Sequence, residues 1–155
     1  TQPTRQLAQQ VLDAELDCAL VSLPQGAPPP DDLEFVPIFQ EQLMLVLQAH
    51  PQPFRFAAFA EGCTYRAMGE AFLAQSEEAE IEIQDVGSYH AMLACVASGG
   101  YAGIVPQSVL ETLTLPEASQ LQPVGQAITQ LIWRKGYASP AFEKMRQLLE
   151  SASDL

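Results

Sequence analysis

The chain predicts an α/β fold, and three observations carry that prediction. Short, continuously apolar runs stand at Cys18 to Val21, inside Gln42 to Gln48 (LMLVL) and at Ala102 to Val105. Each has the length of a strand and is too short for a helix. Segments with apolar residues at helical spacing alternate with them, at Pro3 to Leu16, Tyr65 to Gln75, Ser88 to Ala97 and Pro140 to Ser151. Glycine and proline fall at the joints, as in QGAPPPDD, Gly99-Gly100 and Pro106. Strands separated by helices imply parallel sheets. No internal repeat is visible; the two halves share a βα rhythm but little sequence.

Taken in order, Pro3 to Leu16 is a helix because Leu7, Val11 and Leu12 repeat on one face and Pro3 or Thr4 suits its first turn. Cys18 to Val21 follows as a strand buried on both faces. Gln25 to Asp32 is a loop, since three consecutive prolines forbid helix. Leu33 to Phe39 and Gln42 to Gln48 are two strands, and Ala49 to Pro53 is a turn built on His50-Pro51. Phe54 to Phe59 is a weak strand, Tyr65 to Gln75 a helix, and Glu80 to Val86 a half-exposed strand that alternates Ile81 and Ile83 with polar partners. Ser88 caps the next helix, and Gly99 and Gly100 end it. Pro106 closes the buried strand Ala102 to Val105. A short helix from Gln107 to Leu113 comes next. Strands at Leu121 to Val124 and Thr129 to Trp133 follow, then a turn at Lys135 to Gly136 and the closing helix.

Composition limits what the chain can do. Its 155 residues, 48% hydrophobic and 17% charged, suffice for one globular domain or two small lobes. No apolar run approaches the roughly 20 residues a membrane-spanning helix needs, and no signal-like segment opens the chain. Nineteen acidic residues against seven basic ones give a net charge of −12, which a duplex phosphate backbone repels. The acidity is scattered, with only Glu77, Glu78, Glu80 and Glu82 clustering. Cys18, Cys63 and Cys95 are odd in number and lack CxxC spacing, which argues against a disulfide framework or a closed zinc site and suits a reducing cytoplasm.

In an α/β fold, ligands bind where strands end and helices begin, because the unpaired N–H groups there favour anions. Three junctions qualify. Thr4 heads the first helix. Gly62 allows a turn after which Cys63, Thr64 and Tyr65 present amides and hydroxyls. Gly87 precedes Ser88, Tyr89 and His90. Each residue has a structural reading beside the functional one. Thr64 contacts a ligand or only caps its helix. Cys63 is a redox-sensitive thiol or an inert one. His90 has no carboxylate or nucleophile at a telling spacing and reads as a surface or hinge residue. Arg66 pairs an anionic ligand or a neighbouring glutamate. Tyr101 and Trp133 read as packing residues.

No GxGxxG follows a strand, and GxxxxGK[ST], HExxH and GxSxG are absent. The glycine-rich Gly99 to Gly103 leaves a helix and enters a strand, the reverse of a nucleotide-cradling loop. An enzyme reading therefore lacks a nucleophile–base pair or a metal constellation, and no cofactor is expected.

Five segments in order, ELDCALVSLP, LEFVPIFQEQLMLVLQAHP, FAEGCTYRAMGEAFL, SYHAMLACVASGGYAGIVPQSVLE and QLIWRKGYASPAFEKMRQLLE, resemble the effector-binding domain of LysR-type transcriptional regulators over essentially the whole chain. The resemblance implies two Rossmann-like lobes as in type II periplasmic binding proteins. Lobe I would comprise residues 1–48 and 124–155, and lobe II residues 49–123. It implies a small effector, carboxylate-bearing by the helix-terminus argument, held between the lobes by Thr4, Ser22, Cys63, Thr64 and Tyr65. Ser88 and Tyr89 would act as hinge or secondary contacts, and lobe hinges would lie near Leu47 to Pro51 and Pro123 to Gln126. The winged helix-turn-helix and the family's initial strand-helix-strand have no counterpart in these residues. DNA binding would then belong to an absent segment, the effector site would be incomplete, and exposed strand edges would promote a homo-oligomer, dimer or tetramer. The resemblance also implies a cytoplasmic protein that is allosteric and has no membrane partner. Two rivals stand beside it: a free-standing solute-binding protein of similar fold, and a small α/β enzyme that Cys63→Ala or His90→Ala would inactivate.

Overall fold

The computed structural model describes residues 3–48, 55–75 and 81–153. The His50-Pro51 turn, the start of the strand expected at Phe54, and Glu77, Glu78 and Glu80 lie outside them. In order, the elements are α1 (Thr4–Leu12), β1 (Cys18–Pro24), β2 (Leu33–Gln48), β3 (Arg55–Ala58), α2 (Thr64–Leu73), β4 (Glu82–Asp85), α3 (Tyr89–Ala97), β5 (Tyr101–Pro106), α4 (Gln107–Leu110), β6 (Ser119–Arg134) and α5 (Pro140–Ser151). The α/β class expected from the sequence holds. The chain divides into two compact units, 1–41 with 126–155 and 42–125.

The strand ladder runs β1-β6-β2-β5-β3-β4. It is mixed rather than parallel as the alternation of elements implied. β1 pairs antiparallel with β6, Cys18 opposite Trp133, and β2 pairs antiparallel with β5, Leu43 opposite Pro106. β3 is parallel to both of its neighbours, β4 and β5. The difference arises at β2 and β6. Each was expected as two short strands, and each is one strand of 16 residues that passes from one unit to the other.

In the first unit each sheet face has its own helix. α1 lays Ala8 and Val11 over Ala19, Val21, Leu33 and Ile132. α5 brings Phe142 onto Ile38, Leu131 and Trp133, with the Phe142 and Trp133 rings 5.2 Å apart. α5 starts sharply because the Ser139 hydroxyl accepts from the Phe142 N–H and Pro140 takes the first turn. α1 ends at Leu12, not Leu16. The Glu15 N–H reaches the Gln10 carbonyl and the Ala14 N–H that of Val11, a Schellman closure with Ala14 at φ 61°. β1 is not buried on both faces as expected. Ala19 and Val21 are, but Leu20 is 46% exposed, because β1 ends the ladder.

In the second unit Met92, Leu93 and Val96 of α3 pack on Val46, Ala57 and Val105. α2 lies against the sheet through Gly69, where an added Cβ would fall 2.4 Å from Phe56 Cζ. β4, expected to be half-exposed, is exposed along its whole length because it is the other end of the ladder.

Candidate functional site

Helix N-termini are the anion-favouring points of this fold, and they are not alike. The Ser88 hydroxyl accepts from the Ala91 N–H and caps α3, just as Ser139 caps α5. No side chain caps α1 or α2, and neither has an acidic residue in its first turn. The positive ends of α1, nine residues long, and α2, ten residues long, thus carry no compensating carboxylate of their own first turn.

At the head of α1 the Thr4 hydroxyl donates to the Ser22 carbonyl at 3.1 Å. The fold therefore brings Thr4 and Ser22, 18 residues apart, into direct contact. The Ser22 hydroxyl lies 2.9 Å from that of Thr129 on the facing strand, in register. Thr129 was not anticipated, and neither was Gln130. Both are more than nine-tenths buried, and the Gln130 Oε1 finds no partner. The signal was present: two polar residues inside the apolar run AITQLIW of a buried strand.

At the head of α2, Gly62 adopts φ 90° and so turns the chain as its residue type suggested. Cys63 takes the N-cap position in extended conformation, and Thr64 and Tyr65 begin the helix, all three half-buried. Arg66 is not available to a ligand. Its guanidinium donates to Glu70 at 2.7 Å, to Asp85 at 2.8 Å and to the Phe59 carbonyl at 3.1 Å. The Glu70 hydrogen bond above all holds its pKa further up, and the protein-facing reading of Arg66 is the one the structure bears out.

The third junction differs from expectation. Gly87 keeps an ordinary φ, and a Cβ there would meet nothing within 4 Å, so glycine is not required. Ser88 is committed to its cap. The Tyr89 ring stands edge-on to Phe59, with centroids 5.0 Å apart. His90 is exposed. Of the cysteines, Cys18 has its pKa raised by burial and then by Asp17, which keeps it a thiol. Among the described residues no group of three or more His, Cys, Asp or Glu could hold a metal ion, and no helix is long and apolar enough to cross a membrane.

Against known proteins, a family model described as LysR substrate binding domain matches residues 1–154. The HTH-type transcriptional regulator GltR of Bacillus subtilis (strain 168) is 31% identical over 119 residues, which are 71% of this chain but only 39% of that protein. The Synechocystis PCC6803 CcmR regulatory domain in complex with 2-PG superposes with a TM-score of 0.74 at 16% identity, covering 99% of this chain and 81% of that one. The effector-binding domain of QuiR in complex with shikimate gives 0.70 at 19% identity, covering 98% and 78%. At these identities the two structures share a fold with this chain.

Proposed function

This chain belongs to the LysR substrate binding domain family, and from that premise we propose that it is the effector-binding part of a transcriptional regulator. The effector is a small metabolite bearing a carboxylate. Thr4 and Ser22 serve it from the first unit and Cys63, Thr64 and Tyr65 from the second. The observation that carries the reading is the capping asymmetry: α1 and α2, the helices that begin at these residues, have no side-chain cap, whereas α3 and α5 do. A carboxylate at such an end accepts backbone N–H bonds and meets the positive end of the helix dipole. The fold supports the reading as well, since CcmR and QuiR domains of this architecture hold small molecules.

The chain spans 39% of the length of GltR, an HTH-type regulator. Contact with DNA therefore falls to a part of the protein outside these 155 residues, and the protein acts in the cytoplasm. Effector binding shifts an equilibrium between two arrangements of the domain only if its affinity for the two differs. No metal cluster among the described residues favours turnover instead.

A thermal-shift screen against small carboxylates tests this. A ligand at 100 times its dissociation constant should stabilise the fold by about 2.7 kcal/mol. Thr64→Ala should abolish that shift, while Ser139→Ala, at the head of α5, lowers the baseline stability and leaves the shift intact. If no carboxylate stabilises the chain, or Thr64→Ala leaves the shift unchanged, the reading fails.

A further inference from the structure

Ser22 is held from two sides. Its carbonyl accepts from the Thr4 hydroxyl at the head of α1, at 3.1 Å, and its own hydroxyl lies 2.9 Å from that of Thr129, its register partner on β6. All three residues belong to the first unit. Thr129 is 7% exposed and shares its strand face with Leu131 and Trp133, which pack against Phe142. Gln130, the other buried polar residue of this strand, points to the opposite face with Ile132 and takes no part in the pair. A valine at position 129 would have nearly the same shape, no hydroxyl to desolvate and a strand preference at least as good. Packing therefore favours valine, and the hydroxyl points to another role.

We propose that Thr129 is a positioning residue of the effector site and acts through Ser22: it donates to the Ser22 Oγ and so turns the Ser22 O–H toward the effector carboxylate. The inference rests on the effector reading above. Either hydroxyl of the pair can be the donor. When Ser22 donates to Thr129, its oxygen offers an incoming ligand only lone pairs, and these repel a carboxylate. When Thr129 donates to Ser22, the Ser22 O–H is released from the pair and meets the carboxylate as a donor. The anion selects the second arrangement. The two bonds, Thr129 to Ser22 and Ser22 to carboxylate, then run in the same direction and polarise one another, and the outer one is charge-assisted. Burial of Thr129 keeps water from replacing it as the inner donor.

Titrations of the 155-residue chain with sodium acetate, glycolate, lactate, benzoate and succinate, against sodium chloride at equal ionic strength, test it. The readouts are the dissociation constant of the tightest of these carboxylates and the melting temperature without ligand. Thr129→Val should weaken binding about threefold to tenfold, the range of one net hydrogen bond, with a melting temperature no lower than that of the wild type. Thr129→Ser keeps the hydroxyl and should bind as the wild type does. In a Ser22→Ala background Thr129→Val should cost no further affinity, because the residue acts only through Ser22. That double variant removes both hydroxyls of the pair together, so the comparison stands even if Thr129→Val alone folds poorly. Unchanged affinity in Thr129→Val, a fall in melting temperature that accompanies the lost affinity, failure of Thr129→Ser to retain binding, or a further loss in the Ser22→Ala background would each overturn the proposal and leave the effector reading standing. If none of these carboxylates binds, or Thr64→Ala leaves their binding unchanged, the effector reading itself fails and this inference with it.

Discussion

Arg66 shows how neighbours can commit one charged side chain to the protein itself. Only 16% exposed, it ties the head of α2 to the ends of β3 and β4 through Glu70, Phe59 and Asp85. Hydrogen bonds to charged groups contribute about 1.5–3 kcal/mol each where they are not fully solvated. Asp85 and Glu70 are substantially exposed here, so Arg66→Ala should cost about 1–3 kcal/mol in all, read as the urea midpoint. Arg66→Lys should recover only part, because an ammonium cannot span three acceptors in a planar fork. Cys18 gives a residue-scale test of a different kind. Its raised pKa means the folded thiol ionises at higher pH than the unfolded one. Its contribution to stability is therefore full below the ordinary thiol range and is lost as pH rises through it. A thiol-specific reagent should label Cys18 more slowly at neutral pH in the native chain than in urea, and equal rates would contradict the burial argument.

At the scale of elements, α1 and α2 expose opposite backbone economies. α1 closes through Ala14 in the left-handed region, where a non-glycine residue costs about 1–2 kcal/mol. Glycine relieves that strain but gives back roughly 0.5–1 kcal/mol in unfolded-state entropy. Ala14→Gly should therefore stabilise the chain by a few tenths to about 1 kcal/mol in thermal melts. α2 runs the other way. Gly69→Ala gains about 1 kcal/mol of helix propensity, yet its Cβ would sit 2.4 Å from Phe56 Cζ and 2.8 Å from Ile104 Cγ1. Both neighbours are fully buried, so overpacking of about 1–3 kcal/mol wins and the variant should melt lower. The sequence makes some of this legible and hides the rest for a physical reason. Caps are local, so Ser88, Gly62 and the Gly99-Gly100 stop can be read from neighbouring residue types. Strand pairing is not local. Nothing in QEQ or VGQA says that β2 and β6 continue unbroken, because the partners that hold Gln42 to Gly125 and Gln40 to Gln126 lie more than eighty residues away. The candidate site residues divide in the same way. Thr4 and Thr64 stand at visible helix starts, whereas Thr129 becomes a candidate only once β6 is laid against β1.

For the whole molecule, charge decides what the chain can meet. Of its seven cations, four are engaged: Arg55 with Glu82, Arg66 with Glu70 and Asp85, Arg134 with Asp17 and the Val11 and Leu16 carbonyls, and Arg146 with Glu143. Arg5, Lys135 and Lys144 make no ion pair among the described residues, and they stand against nineteen acids. Binding to duplex DNA draws its affinity from phosphates neutralised by cations, with a salt slope of about −0.9 per contact. Three scattered cations on a chain of net charge −12 cannot offset the repulsion of that field. Gel-shift titrations of the 155-residue chain should accordingly show no retention of duplex DNA, even at low salt where such binding is strongest. Retention that fell steeply with salt would mean that a basic surface exists here after all.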